Sequence, residues 1–116
     1  MAWSFDPIPA APGAIRRRAQ TVLTGWGIVA EPTEDVLLVL TELVANVVDH
    51  ARTQMTITIE HVTGLVLVAV TDGSNAPPRQ QPHDIHAARG RGLQLVAALS
   101  RRWDKTVWAE IACDTR

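Results

Sequence analysis

Residues 55 to 61, MTITIEH, alternate without a break: Met55, Ile57 and Ile59 stand against Thr56, Thr58 and Glu60. Successive side chains of a pleated strand point to opposite faces, so a period of two predicts a strand with one apolar face and one wet face. Val62, Thr63 and Gly64 supply a turn, and residues 65 to 71, LVLVAVT, come next as a more continuously apolar strand. The two stretches predict an antiparallel hairpin, which fixes where the remaining elements can go.

Two helices precede it. From residue 13 to 26, Ile15, Ala19, Val22, Leu23 and Trp26 recur near a 3.6-residue period, and Gly25 and Gly27 mark the end. A second helix is expected from Thr33, an N-cap residue type followed by Glu34 and Asp35, to about Ala51. Ahead of both, Trp3-Ser4-Phe5 reads as a short edge strand ended by Pro7 and Pro9. Residues 72 to 92 are polar and rich in Pro and Gly, a length of loop usually reserved for a functional lid or a disordered segment. Residues 93 to 103, LQLVAALSRRW, read as a helix and residues 105 to 112, KTVWAEIA, as a last strand. The order is an α/β mixture without the repeated strand–helix alternation of a doubly wound fold.

The 116 residues suit one domain, residues 1 to 116, and 47% apolar with 20% charged residues is ordinary globular composition. A net charge of −1 implies no polyanion, and the short basic runs Arg16-Arg17-Arg18 and Arg101-Arg102 read as solvated helix faces, so no direct nucleic-acid partner is expected. Cys113 is the only cysteine, which excludes an intrachain disulfide and a cysteine metal cluster. The N-terminal stretch lacks the apolar core of a secretory signal, and no apolar run reaches the roughly 20 residues of a membrane span. The expectation is a cytoplasmic protein with no membrane partner.

Three places hold residue types that chemistry uses. In LVLTELVANVVDHA, residues 38 to 51, Glu42 and Asn46 lie about 40° apart on a helical wheel, with Asp49 near Glu42 and His50 one turn beyond Asn46. Asp35 falls on the same stripe. This stripe is either the solvent face of an amphipathic helix or a base beside an amide oxygen for a hard cation such as magnesium. Asp72-Gly73, directly after an apolar strand, is either a turn signal or a carboxylate placed to accept a hydrogen bond from an exocyclic amine. Gly90-Arg91-Gly92-Leu93 is either a loop ending or a backbone approach to a phosphate at a helix start. It is neither a P-loop nor a good dinucleotide fingerprint.

Taken in order, TELVANVVDHA, VTDGSNAPP, GRGLQLVAALS and RWDKTVWAEI resemble the N box, G1 region, G2 box and closing strand of the GHKL (histidine-kinase-like) ATPase superfamily, which includes gyrase, MutL and sensor histidine kinases. Within it the chain looks most like the small bacterial anti-sigma factor serine/threonine kinases of the RsbW type. The resemblance covers Arg16 to Ile111, and four loose motifs in order are specific where each alone is weak. It implies an α+β fold of the Bergerat type: a two-layer α/β sandwich, with a mixed, mostly antiparallel sheet and helices on one face.

The resemblance further implies that ATP lies between the helix layer and a lid at residues 77 to 89. Carried over by position, Glu42 would be the general base and Asn46 the Mg2+ ligand. Asp72 with Gly73 would read the adenine amine, and Thr106 would support that end through a water. Gly90, Gly92 and Leu93 would bring backbone N–H groups to the phosphates, with Arg91 within reach of one. The partners implied are an anti-anti-sigma factor of the STAS type and a sigma factor, and the family's kinases often form homodimers. The alternative is a regulator that binds nucleotide and partner without transferring phosphate. Two departures stand out: Gly73 comes one place early with Ser74 in the usual glycine slot, and Pro77, Pro78 and Pro82 imply a stiffer lid.

Overall fold

The structure, a computed structural model, describes residues 1–73, 93–100 and 105–113. Strand β1 (Ala2–Phe5) leads to helices α1 (Ala11–Gly25) and α2 (Ala30–Asn46), and α2 runs on into a π-helical turn over Val47–Ala51. Strands β2 (Met55–Val62) and β3 (Leu65–Asp72) form the expected hairpin, and β4 (Leu93–Ser100) and β5 (Lys105–Ala112) complete one five-stranded sheet in the order β1-β2-β3-β5-β4. Every described pairing is antiparallel, so the sheet is not mixed as the resemblance suggested.

The strict alternation of β2 is realised side by side with its neighbours. Met55, Ile57 and Ile59 are buried, as are Val66, Val68 and Val70 of β3 and Val107, Ala109 and Ile111 of β5. They form one core with Ile15, Ala19 and Leu23 of α1 and with Val36, Leu37, Leu40, Leu43 and Val44 of α2. The helices therefore cover a single face, giving the two-layer α+β sandwich. Full burial of each Leu, Ile or Val contributes roughly 1.5–3 kcal/mol, and this face holds the layers together. On α1 the buried positions Ala11, Ile15, Ala19 and Leu23 recur every four residues, which leaves Arg16, Arg17 and Arg18 exposed. Arg16 sits 3.8 Å from Glu34, both exposed, and Arg18 lies over the Phe5 ring at 5.4 Å; this is the solvated face the sequence implied.

Three boundaries differ from expectation. Helix α2 begins at Ala30, not after Thr33, because Pro32 falls in the first turn, where its missing N–H would have no intrahelical partner. Thr33 is inside the helix and donates its hydroxyl to the Ile28 carbonyl at 3.3 Å. The helix also does not end as an α-helix: the Arg52 N–H reaches back five residues to the Val47 carbonyl at 2.7 Å, and Arg52 is left-handed at φ 56°.

The third difference is β4. Residues 93 to 100 form a strand, not the expected helix, paired with β5 from Leu93↔Ile111 to Ser100↔Lys105. An eight-residue apolar run does not by itself distinguish a helix from a strand, and pairing gives its backbone groups ladder partners while covering the free edge of β5. The register shifts between Leu95 and Ala97, so Val96 is the extra residue of a bulge. Among the described residues no helix is long and apolar enough to cross a membrane.

Candidate functional site

The polar stripe of α2 changes environment along its length. Asp35 is only 3% exposed, Glu42 and Asn46 are half-buried, and Asp49 and His50 are exposed or nearly so. A solvent-facing stripe would be exposed at every turn, and the burial of Asp35 removes the support that its position gave to that reading. Asp35 is not without a partner in this setting. The apolar face of α2 packs against α1, β3 and β5. Thr41, beside Glu42, turns its hydroxyl back to the carbonyls of Leu37 at 2.9 Å and Leu38 at 3.0 Å, leaving Glu42 and Asn46 as the polar groups of the half-buried stretch.

The π-helical turn alters the phase of the residues after it. A turn closed by an i→i+5 bond holds one residue more than an α turn, so side chains beyond Asn46 lag behind the α-helical wheel. The wheel that set Asp49 beside Glu42 therefore stops applying at Val47. Such turns inside helices concentrate at functional sites.

The same end of the molecule holds Asp72. Met55, the first residue of β2, pairs with Asp72, the last of β3, and Asp72 pairs on its other side with Lys105, the first residue of β5. Three strand ends thus coincide, and only Arg52, Thr53 and Gln54 separate them from the end of the π-helical turn. Asp72 continues the buried series Val66, Val68, Val70 and is 4% exposed, so its position is on the helix-facing side of the sheet. It too has a partner. The fold therefore brings Asn46 and Asp72, 26 positions apart in the chain, to one end of the helix–sheet interface.

Thr106 is placed differently. It pairs with Thr71, and their hydroxyls share a hydrogen bond at 2.8 Å. Both lie out of phase with the buried series of their strands, on the face of the sheet away from the helices. Thr106 and Asp72 are thus one register step apart but on opposite faces. Trp108 shares that outer phase and is half-buried, so it belongs to the outer face and not to the core.

Gly73 does not need the conformational freedom of glycine for a left-handed turn, since its φ is not positive. Its N–H donates to Thr53 Oγ1 at 2.8 Å, and an added Cβ would meet the Thr53 side chain at 3.4 Å. Sequence reasoning passed over Thr53 and Thr71. Both contacts join residues far apart in the chain, and no local pattern announces them.

Of the remaining candidates, Leu93 opens β4 and not a helix, so the dipole of a helix start is not available there. Gly90, Arg91 and Gly92, the lid at 77 to 89, Ser74, Arg101, Arg102 and Trp103 lie outside the described residues. Among the described residues no group of three or more His, Cys, Asp or Glu side chains is arranged to hold a metal ion.

A search of the curated proteins finds no match. The model of the histidine kinase-like ATPase domain matches residues 5–107. That span takes in α1, α2, the π-helical turn, the hairpin and β4, so the chain belongs to the histidine kinase-like ATPase domain family and is an ATP-binding protein.

Proposed function

We propose that the protein is an anti-sigma factor serine/threonine kinase, which transfers the γ-phosphoryl group of ATP to a serine of an anti-anti-sigma partner of the STAS type. The observation that carries this reading is Glu42. A protein that only holds nucleotide has no use for a half-buried carboxylate one turn before the metal-side amide.

Phosphoryl transfer asks for positioning and charge neutralisation, with a carboxylate to orient the attacking hydroxyl. Glu42 accepts the hydrogen bond of the partner's serine hydroxyl and takes its proton as that oxygen bonds to the γ-phosphorus and ADP departs. Asn46 offers an amide oxygen, the donor type magnesium accepts, and a single protein oxygen fits an ion that keeps several waters and binds substrate phosphates. When bound, Mg2+ would neutralise the phosphate charge. Asp72, with Gly73, reads the adenine amine from the helix-facing side of the sheet. Thr106 supports that end through Thr71 and the register of β3 with β5, not by direct approach. Gly90, Arg91 and Gly92 keep the phosphate-side role that the resemblance gives them, through backbone N–H groups and the Arg91 side chain; Leu93 is left out of it, because it pairs with Ile111 at the end of β5 away from Lys105 and Asp72. In this reading the protein is cytoplasmic, acts as a single domain over residues 1 to 116, and holds or releases a sigma factor according to nucleotide state, with homodimerisation as in related kinases.

A second reading, a regulator that binds nucleotide and partner without transfer, is favoured by one feature. Residues 93 to 100 are a strand, so the helix start expected to face the phosphates is absent there.

The test has two stages. Adding Mg-ATP at about 100 times its dissociation constant should stabilise the fold by roughly 2.7 kcal/mol. Incubation with labelled ATP and a STAS-domain partner then separates the readings: label on a partner serine supports the kinase, and binding without label supports the regulator.

A further inference from the structure

We infer that Thr53 is a positioning residue for adenine recognition, acting through the Asp72–Gly73 peptide; this rests on Asp72 being the carboxylate that reads the adenine amine. The geometry is that of a latch between two chain segments 20 residues apart. Gly73 donates its N–H to Thr53 Oγ1 at 2.8 Å, and Thr53 donates its own hydroxyl to the Gln54 carbonyl at 3.2 Å. A hydroxyl has one proton and two lone pairs. With the proton committed to Gln54, the oxygen is oriented to accept from Gly73.

What the latch fixes is the conformation of Asp72. Its pairings with Met55 and Lys105 fix the strand side of the residue. The direction of the Gly73 N–H fixes the peptide plane on the other side, hence ψ of Asp72. Side-chain rotamers depend on φ and ψ, so anchoring both ends limits where the carboxylate can point. A Cβ at position 73 would lie in van der Waals contact with the Thr53 side chain at 3.4 Å, so the two segments are already closely packed where the latch forms.

The latch is itself anchored. Arg52 closes the π-helical turn onto Val47 at 2.7 Å, and Gln54 Nε2 donates to Asp6 Oδ1 at 3.3 Å. Thr53 therefore sits between two fixed neighbours, seven residues after Asn46. The segment that carries the metal-side amide thereby also sets the aim of the adenine-side carboxylate, and a shift of the π-helical turn reaches both ends of the nucleotide.

The test compares the full chain with Thr53→Val, which keeps the shape and removes the acceptor, and Thr53→Ser, which keeps the hydroxyl. Affinities for Mg-ATP and for Mg-tripolyphosphate are measured by calorimetry, and amide exchange at Gly73 by NMR. Losing one hydrogen bond should weaken ATP binding roughly three- to ten-fold in Thr53→Val. Tripolyphosphate affinity should stay within about two-fold, since the missing bond acts on the adenine end. Gly73 exchange should speed up, and Thr53→Ser should restore all of these. The role is overturned if Thr53→Val binds ATP like the parent, if ATP and tripolyphosphate weaken equally, or if Thr53→Ser fails to restore ATP affinity while remaining folded. A parent chain with no affinity for ATP would overturn the reading of Asp72 together with it. A protected Gly73 amide and normal ATP binding in Thr53→Val would overturn the Thr53 role alone.

Discussion

Met55 and Asp72 face each other across β2 and β3, so the residue that begins the sheet after the helices is paired with the carboxylate that ends the hairpin. Met55 is fully buried beneath the helices, and Asp72 is its acidic neighbour at the same depth. A core strand end and the carboxylate proposed to read adenine are here the two halves of one pair.

Asp72→Asn keeps the shape of the side chain and replaces an acceptor oxygen by an amide nitrogen. Affinity for Mg-ATP should fall about ten-fold or more, while affinity for tripolyphosphate changes little, because the lost acceptor serves the base and not the phosphates. Calorimetric titration of both ligands decides it, and equal losses would place Asp72 elsewhere.

Asn46→Ala removes the amide oxygen while leaving a good helix former at the end of α2. The magnesium dependence of ATP binding should disappear. Titrations with and without the metal, at matched ionic strength, check this, and an unchanged dependence would remove Asn46 from the site.

Glu42→Gln leaves a hydrogen-bonding side chain that cannot take a proton. Nucleotide affinity should be retained, and transfer of label to a STAS-domain serine should drop by about two orders of magnitude or more. Transfer at the parental rate would mean that Glu42 is not the base.

Leu40→Ala tests the layer that holds these groups in place. Leu40, on α2, is fully buried in the core that the helices share with the sheet, and its truncation should cost about 2–5 kcal/mol. Urea unfolding should show the midpoint falling with an unchanged slope.

Arg52→Gly addresses the left-handed residue at the end of the π-helical turn, φ 56°. Glycine adopts that conformation without a Cβ clash, and the substitution should leave the protein as stable or more stable by up to about 1 kcal/mol. Thermal unfolding monitored by circular dichroism would show it, and a fall in melting temperature would mean that the Arg52 side chain contributes more than its backbone costs.

How far the sequence carried depends on the range of the signal. The alternation of Met55 to Glu60 is local and period-specific, and the strand, its hairpin and its buried face all derive from it. Glu42, Asn46 and Asp72 were legible as candidates because acid or amide types stand out in apolar elements. The start of α2 was misplaced because Thr33 imitates a cap, while Pro32 is tolerated inside the first turn. Residues 93 to 100 carry an apolar pattern that serves a helix or a strand, and only their pairing with β5 decides between them. The π-helical turn was invisible because no glycine or proline marks it, and Arg52 gives no hint of its positive φ. Thr53 was invisible for a different reason: its partner is 20 residues away.

The four-residue β1 also protects the fold from its own sequence. It occupies the free edge of β2, with the Met1 ammonium donating to the Ile59 carbonyl at 3.0 Å and the Ile59 N–H returning to the Met1 carbonyl at 2.9 Å. Beneath it lies MTITIEHV, a β-branched, sparsely charged, proline-free segment of the kind that templates cross-β stacking when uncovered. Pro7 and Pro9 come immediately after β1, so the cover itself is too short and too interrupted to recruit another chain. Trimming residues 1–5 would exchange a capped border for a sticky one, and solubility, more than nucleotide affinity, would be the first property lost.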